Sequence, residues 1–259
     1  MLVDSHCHLN YPGLIERQDE VLGAARSRGV GAFLNISTRQ SEWGDILGTA
    51  ERNTDVWASI GVHPHEADSH PDLGASALVE AATHDRVIGI GECGLDYFYD
   101  KSDRQAQRER FSAHIEAARA TGLPLIVHTR DAEEDTAEIL TAAVKEGGVA
   151  GVLHCFTSSE KLARAALDIG FYISLSGIVT FKNARELQET AKMIPADRLL
   201  VETDAPFLAP VPNRGKTCEP AFVADTATFV AELRGEPLDQ LADATTDNFY
   251  RLFARATRP

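Results

Sequence analysis

The chain is poor in features that would assign it to several classes of protein. Its four cysteines show no Cys-x-x-Cys spacing, so the sequence supports neither a zinc ribbon nor a thioredoxin-type redox pair. No apolar run approaches the length that crosses a bilayer, and the first residues lack the basic region and apolar stretch of a signal peptide. We therefore expect a cytoplasmic protein with no membrane partner.

Positive charge is also scarce in this sequence. There are 25 Lys and Arg against 39 Asp and Glu, which gives a formal net charge of -14. Because binding to long duplex nucleic acid depends on neutralising phosphates with basic side chains, we do not expect this chain to bind long duplexes. A nuclease that holds the end of a DNA strand through metal ions stays compatible, since the cations supply positive charge at the phosphate.

Eight short apolar runs, separated by helix-length polar stretches, predict buried parallel strands. They lie at residues 2–6, 31–36, 56–62, 87–92, 124–128, 149–154, 171–175 and 199–204. A strand and a helix repeated eight times in about 250 residues are typical of an α/β fold, the (β/α)8 TIM barrel. With 44% hydrophobic residues and no linker, residues 1–259 are predicted to form one domain, and we expect a monomer.

Two of the intervening helices have recognisable ends. One is predicted from Ser102 to Thr121, with Gly122 as its stop. A second is predicted to begin at Thr157, with Glu160 in capping-box spacing, and to end at Gly170. On the first helix, one face carries Phe111, Ile115 and Ala118.

Metal-binding side chains follow the predicted strands. The first strand leads into His6-Cys7-His8, and two histidines two residues apart on an extended backbone point to the same side, with Cys7 facing away. Active sites of such barrels lie at the carboxyl ends of the strands, so donors that follow other strands are expected to converge with this pair. These further donors are Glu92, His128, His154, Glu202 and Asp204, and His63 follows the third strand.

Six of these donors suit a pair of divalent ions. His6, His8, Glu92, His128, His154 and Asp204 exceed the three or four ligands of one catalytic zinc, and Glu92 is the natural bridge between two ions. The first and eighth strands meet where the barrel closes, so His6, His8 and Asp204 are predicted to hold one ion, while His128 and His154 hold the other. Imidazole and carboxylate ligands are compatible with Mg²⁺, Mn²⁺ or Zn²⁺.

Two neighbouring ions favour hydrolysis as the reaction class. Such a pair lowers the pKa of a bound water and clamps the attacking and leaving oxygens of a phosphate displacement. Glu202 and Asp204 are two residues apart, and Glu202 is a candidate for steering the attacking water or for orienting a ligand histidine. For His63, hydrogen bonding to the substrate and metal ligation are equally consistent with its position.

Basic and aromatic residues are predicted near the mouth of the barrel. Arg130, Arg214 and Lys216 follow predicted strands and are candidate substrate-binding residues, as is His63. The aromatic side chains of this region either stack on a base or, the interpretation that we favour, pack beneath a loop. They are Tyr97, Phe98, Tyr99 and Phe207. The remaining histidines are interpreted as surface residues: His65, His70, His84 and His114.

Taken in order, six segments resemble the signatures of the TatD family of metal-dependent deoxyribonucleases, which belong to the amidohydrolase-like TIM-barrel hydrolases. The segments lie at residues 3–8, 61–65, 90–97, 128–132, 154–157 and 202–210. The resemblance implies a two-metal site with ligands at His6, His8, Glu92, His128, His154 and Asp204, and it implies functional positions at His63 and Glu202. It also implies hydrolysis of phosphodiesters, typically Mg²⁺-dependent trimming of DNA from a 3′ end.

The loop after the last strand departs from the family pattern. The family commonly has a histidine before Arg-Gly-Lys, whereas this chain has Asn213, and Thr217-Cys218 stands where Arg-Asn is usual. We expect this loop to face the site entrance, so the departures bear on substrate choice and not on the metal positions.

Two other functions are compatible with these residues. The same metal site on the same barrel can hydrolyse an ester, amide or lactone unrelated to nucleic acid, because loop variation changes the substrate. No lysine stands at a predicted strand end, which argues against the relatives that bridge their metals through a carboxylated lysine. The last alternative is a metal-stabilised scaffold without catalytic activity, which the complete ligand set disfavours.

Overall fold

The computed structural model describes residues 1–258, and these form eight parallel strands alternating with helices. The strands follow one another around a single sheet in the order β1 to β8. The predicted (β/α)8 barrel is therefore confirmed, while the predicted domain runs on to Pro259, which lies outside the described residues. The strands are β1 (Leu2–Cys7), β2 (Val30–Asn35), β3 (Val56–Ile60), β4 (Val87–Asp96), β5 (Leu125–Arg130), β6 (Gly151–Leu153), β7 (Tyr172–Leu175) and β8 (Leu199–Val201).

Nine α-helices cover the outside and one end of the barrel within residues 1–258. None of them combines the length and the apolar character that crossing a bilayer requires. Their bounds are α1 (Gln18–Ser27), α2 (Trp43–Arg52), α3 (Ala75–Ala81), α4 (Arg104–Thr121), α5 (Glu133–Gly147), α6 (Glu160–Asp168), α7 (Arg185–Met193), α8 (Val223–Arg234) and α9 (Leu238–Leu252).

The barrel closes between its first and last strands. Asp204 N donates to His6 O over 2.9 Å, and His8 N donates to Ala205 O over 2.8 Å. The buried carboxylate of Asp4 strengthens this seam, because it accepts hydrogen bonds from both the backbone N–H and the hydroxyl of Thr203, at 2.9 and 2.6 Å. The closure brings the first and last predicted metal donors of the sequence together.

The far end of the barrel is filled by apolar side chains. Inward-facing strand residues such as Val3, Trp57 and Ile126 pack in one buried cluster with Phe249 of α9 and with Phe253, which directly follows that helix. Because α9 closes the amino-terminal end of the strands, the carboxyl-terminal end is the open mouth. Side chains that follow the strands are therefore the ones that reach a solvent-accessible site.

Strand β4 is longer than predicted and runs to Asp96 instead of residue 92. Its extension pairs with β5 through Gly94 opposite His128 and Asp96 opposite Arg130. Gly94 has φ +126°, and a Cβ at this position would lie 2.0 Å from His128 O. Only glycine lets the two strands approach here, so the sequence Gly-Leu-Asp after Cys93 prolongs the strand beyond its predicted end.

Both predicted helix starts lie too early. Helix α4 begins at Arg104, because Asp103 caps it by accepting hydrogen bonds from Gln105 N and Ala106 N. Helix α6 begins at Glu160, so its predicted start at Thr157 is wrong: the capping hydroxyl belongs to Ser159, which accepts a hydrogen bond from Leu162 N.

Replacing Asp103 by alanine is expected to destabilise the protein by about 1 kcal/mol, because two amide groups at the start of α4 lose their acceptor. Urea unfolding monitored by circular dichroism measures this loss. Asp103→Asn, which keeps an acceptor oxygen, is the control and should retain most of the stability. Equal losses in the two variants would contradict the capping role.

Candidate metal centre

The predicted donors meet in one buried cluster at the open mouth of the barrel. His6 Nε2 lies 3.6 Å from Asp204 Oδ1, and the rings of His6 and His154 stack with their centroids 3.7 Å apart. His8 Nε2 lies 3.3 Å from the same Asp204 oxygen. The sequence-based expectation that donors from residue 6 to residue 204 share one pocket is therefore met.

The two carboxylate oxygens of Glu92 face different groups of histidines. Oε2 lies 3.5 Å from His6 Nε2 and 3.9 Å from His8 Nε2. Oε1 lies 2.8 Å from His154 Nε2 and 3.4 Å from His128 Nδ1. Ligands bound about 2.1 Å from one ion are separated by about 3.0–3.4 Å, and the four distances, from 2.8 to 3.9 Å, scatter around this spacing. A carboxylate shared in this way is the geometry of a bridging ligand.

Second carboxylates orient His128 and His154, two of the three histidines beside Glu92 Oε1. Asp96 Oδ2 lies 3.1 Å from His128 Nε2, and Glu202 Oε1 lies 3.3 Å from His154 Nδ1. Each carboxylate accepts a hydrogen bond from the outer ring nitrogen, so the inner nitrogen, which faces Glu92, is the one that would bind a cation in place of its proton. Carboxylate–histidine pairs of this kind orient metal ligands and raise their basicity.

His63 has the opposite arrangement. Its Nδ1 accepts a hydrogen bond from His65 N over 3.0 Å, while its Nε2 lies 3.3 Å from Glu92 Oε1. A neutral imidazole that accepts at Nδ1 carries its proton on Nε2, so that nitrogen has no lone pair for a cation. Burial lowers the pKa of His63 to about 4, which keeps the ring neutral. The geometry thus favours hydrogen-bond donation over metal ligation at this residue.

Glu202 is placed to position other groups. Its side chain is fully buried, and Oε1 accepts a hydrogen bond from Cys155 N over 2.7 Å in addition to its contact with His154. Of the two roles open to Glu202 from the sequence, this geometry favours orienting a histidine over steering a water. Its catalytic role stays a prediction.

The pKa values of Glu92 and His154 are strongly shifted within the cluster. Burial alone would raise the pKa of the Glu92 carboxyl, but the surrounding imidazoles, led by His154 and His63, outweigh burial and hold that pKa well below its usual value. Burial by itself lowers the pKa of His154, yet Glu92 and Glu202 raise it well above the usual value for histidine. A bound cation would take the place of the imidazole proton, because a ligating histidine must be neutral.

The donor set fits divalent cations. Three groups of side chains each bring their donor atoms within 4.8 Å of one another. The groups are His6, His8 and Glu92; His63, Glu92 and His128; and His6, His154 and Glu202. Both ring nitrogens of His6 and the Nδ1 of His8 are buried without a hydrogen-bond partner among residues 1–258. Buried polar atoms normally have a partner, so these nitrogens indicate a group that binds there. Among residues 1–258, the basic groups within 4.0 Å of the Glu92 and Asp204 carboxylates are all imidazoles.

None of the cysteine thiols belongs to these donor groups. Cys7 and Cys93 are buried, and their Sγ atoms lie 3.5 Å from the carbonyl oxygens of Leu34 and Ile126. Cys155 Sγ lies 3.1 Å from Ser176 Oγ. The expectation that thiols beside the ligands face away is met for Cys7 and Cys93, because alternate residues of a strand point to opposite sides. It is not met for Cys155, which follows β6 and lines the cavity of the site.

Two residues of the site were missed in the sequence. Asp96 contacts both His65 Nε2, at 2.9 Å, and His128 Nε2. The interpretation of His65 as a surface residue is therefore wrong. Both residues carried a usable signal: His65 follows His63 with the same spacing as His8 follows His6, and Asp96 follows Glu92 at an even spacing along β4.

A cavity of about 470 Å³ opens above the histidine cluster. Of the four residues proposed to bind substrate, His63 and Arg130 line it, whereas Arg214 and Lys216 do not. Arg39 and Lys101, which were not singled out in the sequence, also line it. Arg214 instead lies over the ring of Phe181, with its guanidinium carbon 3.8 Å from the ring centroid. Lys216 contacts Asn213 at 3.3 Å.

Three of the four aromatic residues near the mouth are exposed. Phe98, Tyr99 and Phe207 have exposed fractions of 54%, 51% and 50%. The favoured interpretation, packing beneath a loop, is wrong for these three. Tyr97 is less exposed, and its hydroxyl donates to Asp135 Oδ2 over 2.6 Å.

Comparison with known proteins agrees with these features. The family described as TatD related DNase matches residues 3–254 of this chain. The chain belongs to the TatD family. It is 45% identical to an uncharacterized metal-dependent hydrolase, YcfH of Escherichia coli, over 97% of this chain and 95% of that protein. It is 36% identical to the protein named 3′-5′ ssDNA/RNA exonuclease TatD in Erwinia tasmaniensis, over 91% of this chain and 93% of that one.

Solved structures of TatD proteins share the architecture. The crystal structure of YjjV, a TatD homologue from Escherichia coli, superposes with a TM-score of 0.92 at 28% identity and covers 98% of both chains. A TatD family hydrolase from Entamoeba histolytica has a TM-score of 0.86 at 22% identity, which supports the fold. The chain is a metal-dependent hydrolase of the TatD family.

The loop that departs from the TatD family pattern turns away from the cavity over part of its length. Phe207 and Leu208 line the cavity, whereas Asn213 donates to Asp225 Oδ2 of α8 over 2.9 Å. Cys218 is buried, with Sγ 3.9 Å from Thr203 O. Asn213 and Cys218 thus anchor the loop to the barrel, while its first part borders the site.

Proposed function

We propose that this TatD protein is a two-metal phosphodiesterase that shortens DNA from the 3′ end. The observation that carries the proposal is the placement of Glu92, whose two oxygens face two separate groups of metal donors. A single metal ion would not need a carboxylate shared between opposite sets of ligands. Displacement at phosphorus is the reaction for which two neighbouring cations are best suited.

The residues divide into two ligand sets around Glu92. His6, His8 and Asp204 would hold one ion, and His128 and His154 would hold the other. Divalent ions bound there would supply Lewis acidity, lowering the pKa of water and neutralising charge on the phosphate. Oxygen and imidazole donors leave Mg²⁺, Mn²⁺ and Zn²⁺ as the candidates.

The protein's own residues position the reacting groups. Asp96 and Glu202 hold the ligand histidines in one tautomer through the contacts described above. His63 lines the cavity with its Nε2–H beside Glu92, and it would donate this N–H to a phosphate oxygen of the substrate. Asp204, which lines the cavity, would accept a proton from the attacking water.

The choice of a DNA end as substrate is supported by two considerations. The related Erwinia tasmaniensis protein is named as an exonuclease of single-stranded DNA and RNA. The cavity of this chain combines a few positively charged side chains with exposed aromatic rings, whereas the chain as a whole carries a net charge of -14. Such a surface suits one strand end and disfavours a long duplex.

Digestion of a single-stranded oligonucleotide labelled at its 5′ end tests this function. With Mg²⁺, Mn²⁺ or Zn²⁺ we expect a ladder of products that shorten progressively, and no products with a chelator present. Glu92→Gln should abolish the ladder, because both ligand sets lose the shared carboxylate.

A strand labelled at the 3′ end distinguishes the direction, since 3′ trimming releases the label at once as a mononucleotide. The matched control is Glu80→Gln, an exposed carboxylate on α3 that should leave the ladder unchanged. An intact strand with every metal, together with turnover of ester or lactone substrates, would refute the nuclease and retain the hydrolase.

A further inference from the structure

Two large aromatic side chains stand exposed at the rim of the cavity. Phe98 and Tyr99 follow the end of β4 and have exposed fractions of 54% and 51%. Tyr99 lines the cavity above the histidine cluster, and its ring centroid lies 5.4 Å from that of His65. Phe98 lies next to it, with the ring centroids 4.9 Å apart and the planes at 87°. Exposed apolar area beside a catalytic cavity indicates a binding surface.

The backbone beneath these rings is held firmly. Asp96 Oδ1 accepts hydrogen bonds from both Phe98 N and Tyr99 N, at 3.1 and 2.9 Å. The other oxygen of the same carboxylate contacts His65 and His128. Asp96 therefore fixes the two aromatic residues relative to a proposed metal ligand, so they are presented rigidly toward the solvent.

Arg130 places a positive charge beside both rings. Its guanidinium carbon lies 4.1 Å from the Phe98 ring centroid and 4.7 Å from that of Tyr99. No carboxylate of residues 1–258 forms an ion pair with Arg130, whereas Arg104, stacked on Tyr97, pairs with Asp100. A guanidinium without a protein counter-ion, beside a cavity, is available to an anion such as a phosphate.

We propose that Phe98, Tyr99 and Arg130 form a subsite for consecutive nucleotides of single-stranded DNA, an inference that rests on the proposed function. Tyr99 stacks on the base nearer the metal centre, and Phe98 stacks on the next base along the strand. Arg130 binds the phosphate that joins the two nucleotides. Stacking on aromatic rings is tolerant of sequence, so the subsite does not select particular bases.

The subsite predicts that this strongly acidic protein binds single strands in preference to double strands. In a duplex both faces of every base except the terminal pair are covered by neighbouring bases, so two consecutive bases cannot contact Tyr99 and Phe98 without unstacking. A single strand offers these faces freely. Affinity that depends on stacking and one phosphate contact also tolerates a net charge of -14, because few phosphates need to be neutralised.

Fluorescence anisotropy of a labelled single strand in Ca²⁺, with strands carrying one abasic nucleotide at successive positions, tests the subsite. Wild-type protein should bind about 5- to 150-fold more weakly when the abasic position falls opposite Tyr99 or Phe98. Tyr99→Ala should remove the sensitivity at the nearer position, and Phe98→Ala should remove it at the next. Tyr99→Phe retains the ring and should behave as wild type.

Arg130→Ala should lower the salt dependence of binding, because one phosphate contact is lost. The charge-matched control is Arg164→Ala on the outer helix α6, which should leave the salt dependence unchanged. Wild-type protein that fails to bind the strand, that binds blunt duplex equally well, or that shows no sensitive abasic position would overturn the subsite.

Oligonucleotide hydrolysis in Mg²⁺ separates this proposal from the proposed function. A wild-type protein that shows the two sensitive positions but cleaves no strand would retain the subsite and refute the nuclease. A protein that cleaves strands equally well in all the abasic and alanine combinations would retain the nuclease and refute the subsite.

Discussion

Divalent cations are expected to stabilise the wild-type protein strongly, and this stabilisation should be lost in Glu92→Gln. An ion present at about a thousand times its dissociation constant adds about 4 kcal/mol to the free energy of unfolding. For a protein of this size the gain corresponds to a rise of roughly 10 °C in the thermal midpoint. Glutamine keeps the size of the side chain but removes the negative charge and one acceptor oxygen, so both ligand sets are weakened. Differential scanning calorimetry with Zn²⁺, Mn²⁺ and Mg²⁺ measures the effect.

Counting the bound ions distinguishes a two-metal site from a one-metal site. By elemental analysis after dialysis, wild-type protein should carry about two ions per chain, and His128→Gln about one, because only the second ligand set is disrupted. Glu80→Gln should bind as many ions as the wild type. Identical metal content in wild type and Glu92→Gln would refute the bridging role of Glu92.

The order of the strands and the convergence of the donors could be predicted because both rest on strong, simple regularities. Buried parallel strands are continuous apolar runs, and in a barrel every strand delivers the next residues to the same mouth. His6, Glu92, His154 and Asp204 each follow such a run, so their meeting required no knowledge of the loops.

Element ends were less predictable, because a single hydrogen bond decides them. The start of α6 is determined by Ser159, although Thr157 has an equally suitable hydroxyl, and only the three-dimensional path of the chain selects between them. The extension of β4 to Asp96 depends on the close approach of Gly94 to β5. Because the predicted strand ended at residue 92, the contacts of Asp96 with His65 and His128 were not predicted either.

Loop side chains were the least predictable part of the site. Arg130 and Arg214 both follow predicted strands. In the structure only Arg130 belongs to a strand, the last residue of β5, where the pleat sets the direction of its side chain. Arg214 lies in a long loop that folds back over Phe181. The sequence does not reveal this fold-back, because it depends on contacts between residues far apart in the chain.

His114 was interpreted as a surface residue, but it is fully buried on α4 and bridges this helix to the loop that follows β3. Its position three residues after Phe111 and one before Ile115 places it on the apolar face, a signal that was available. Nδ1 lies 2.7 Å from Arg110 O, and Nε2 accepts a hydrogen bond from Val62 N over 3.0 Å. The neutral ring therefore fixes the chain directly before His63.

Acid is expected to destabilise the protein through His114. Burial lowers its pKa from 6.5 to about 4, with the Arg110 charge acting in the same direction and the Arg110 carbonyl opposing it. Between these two pH values the unfolded chain binds a proton that the folded protein does not, so stability is complete above about pH 6.5 and falls as the pH drops toward 4. The loss amounts to roughly 3 kcal/mol over this window.

Urea unfolding of wild type and His114→Gln across this pH range, with a chelator present, isolates the contribution. Glutamine can keep one hydrogen bond to the backbone but does not titrate, so its free energy of unfolding should fall less steeply with acid than that of the wild type. The other histidines contribute equally to both proteins and cancel in the difference. His84→Gln, which alters a histidine paired with Glu51 at the surface, should follow the wild-type profile, because this side chain stays accessible to solvent. Parallel profiles for wild type and His114→Gln would show that the buried ring accepts its proton as readily as an exposed one. That result would refute the acid destabilisation through His114.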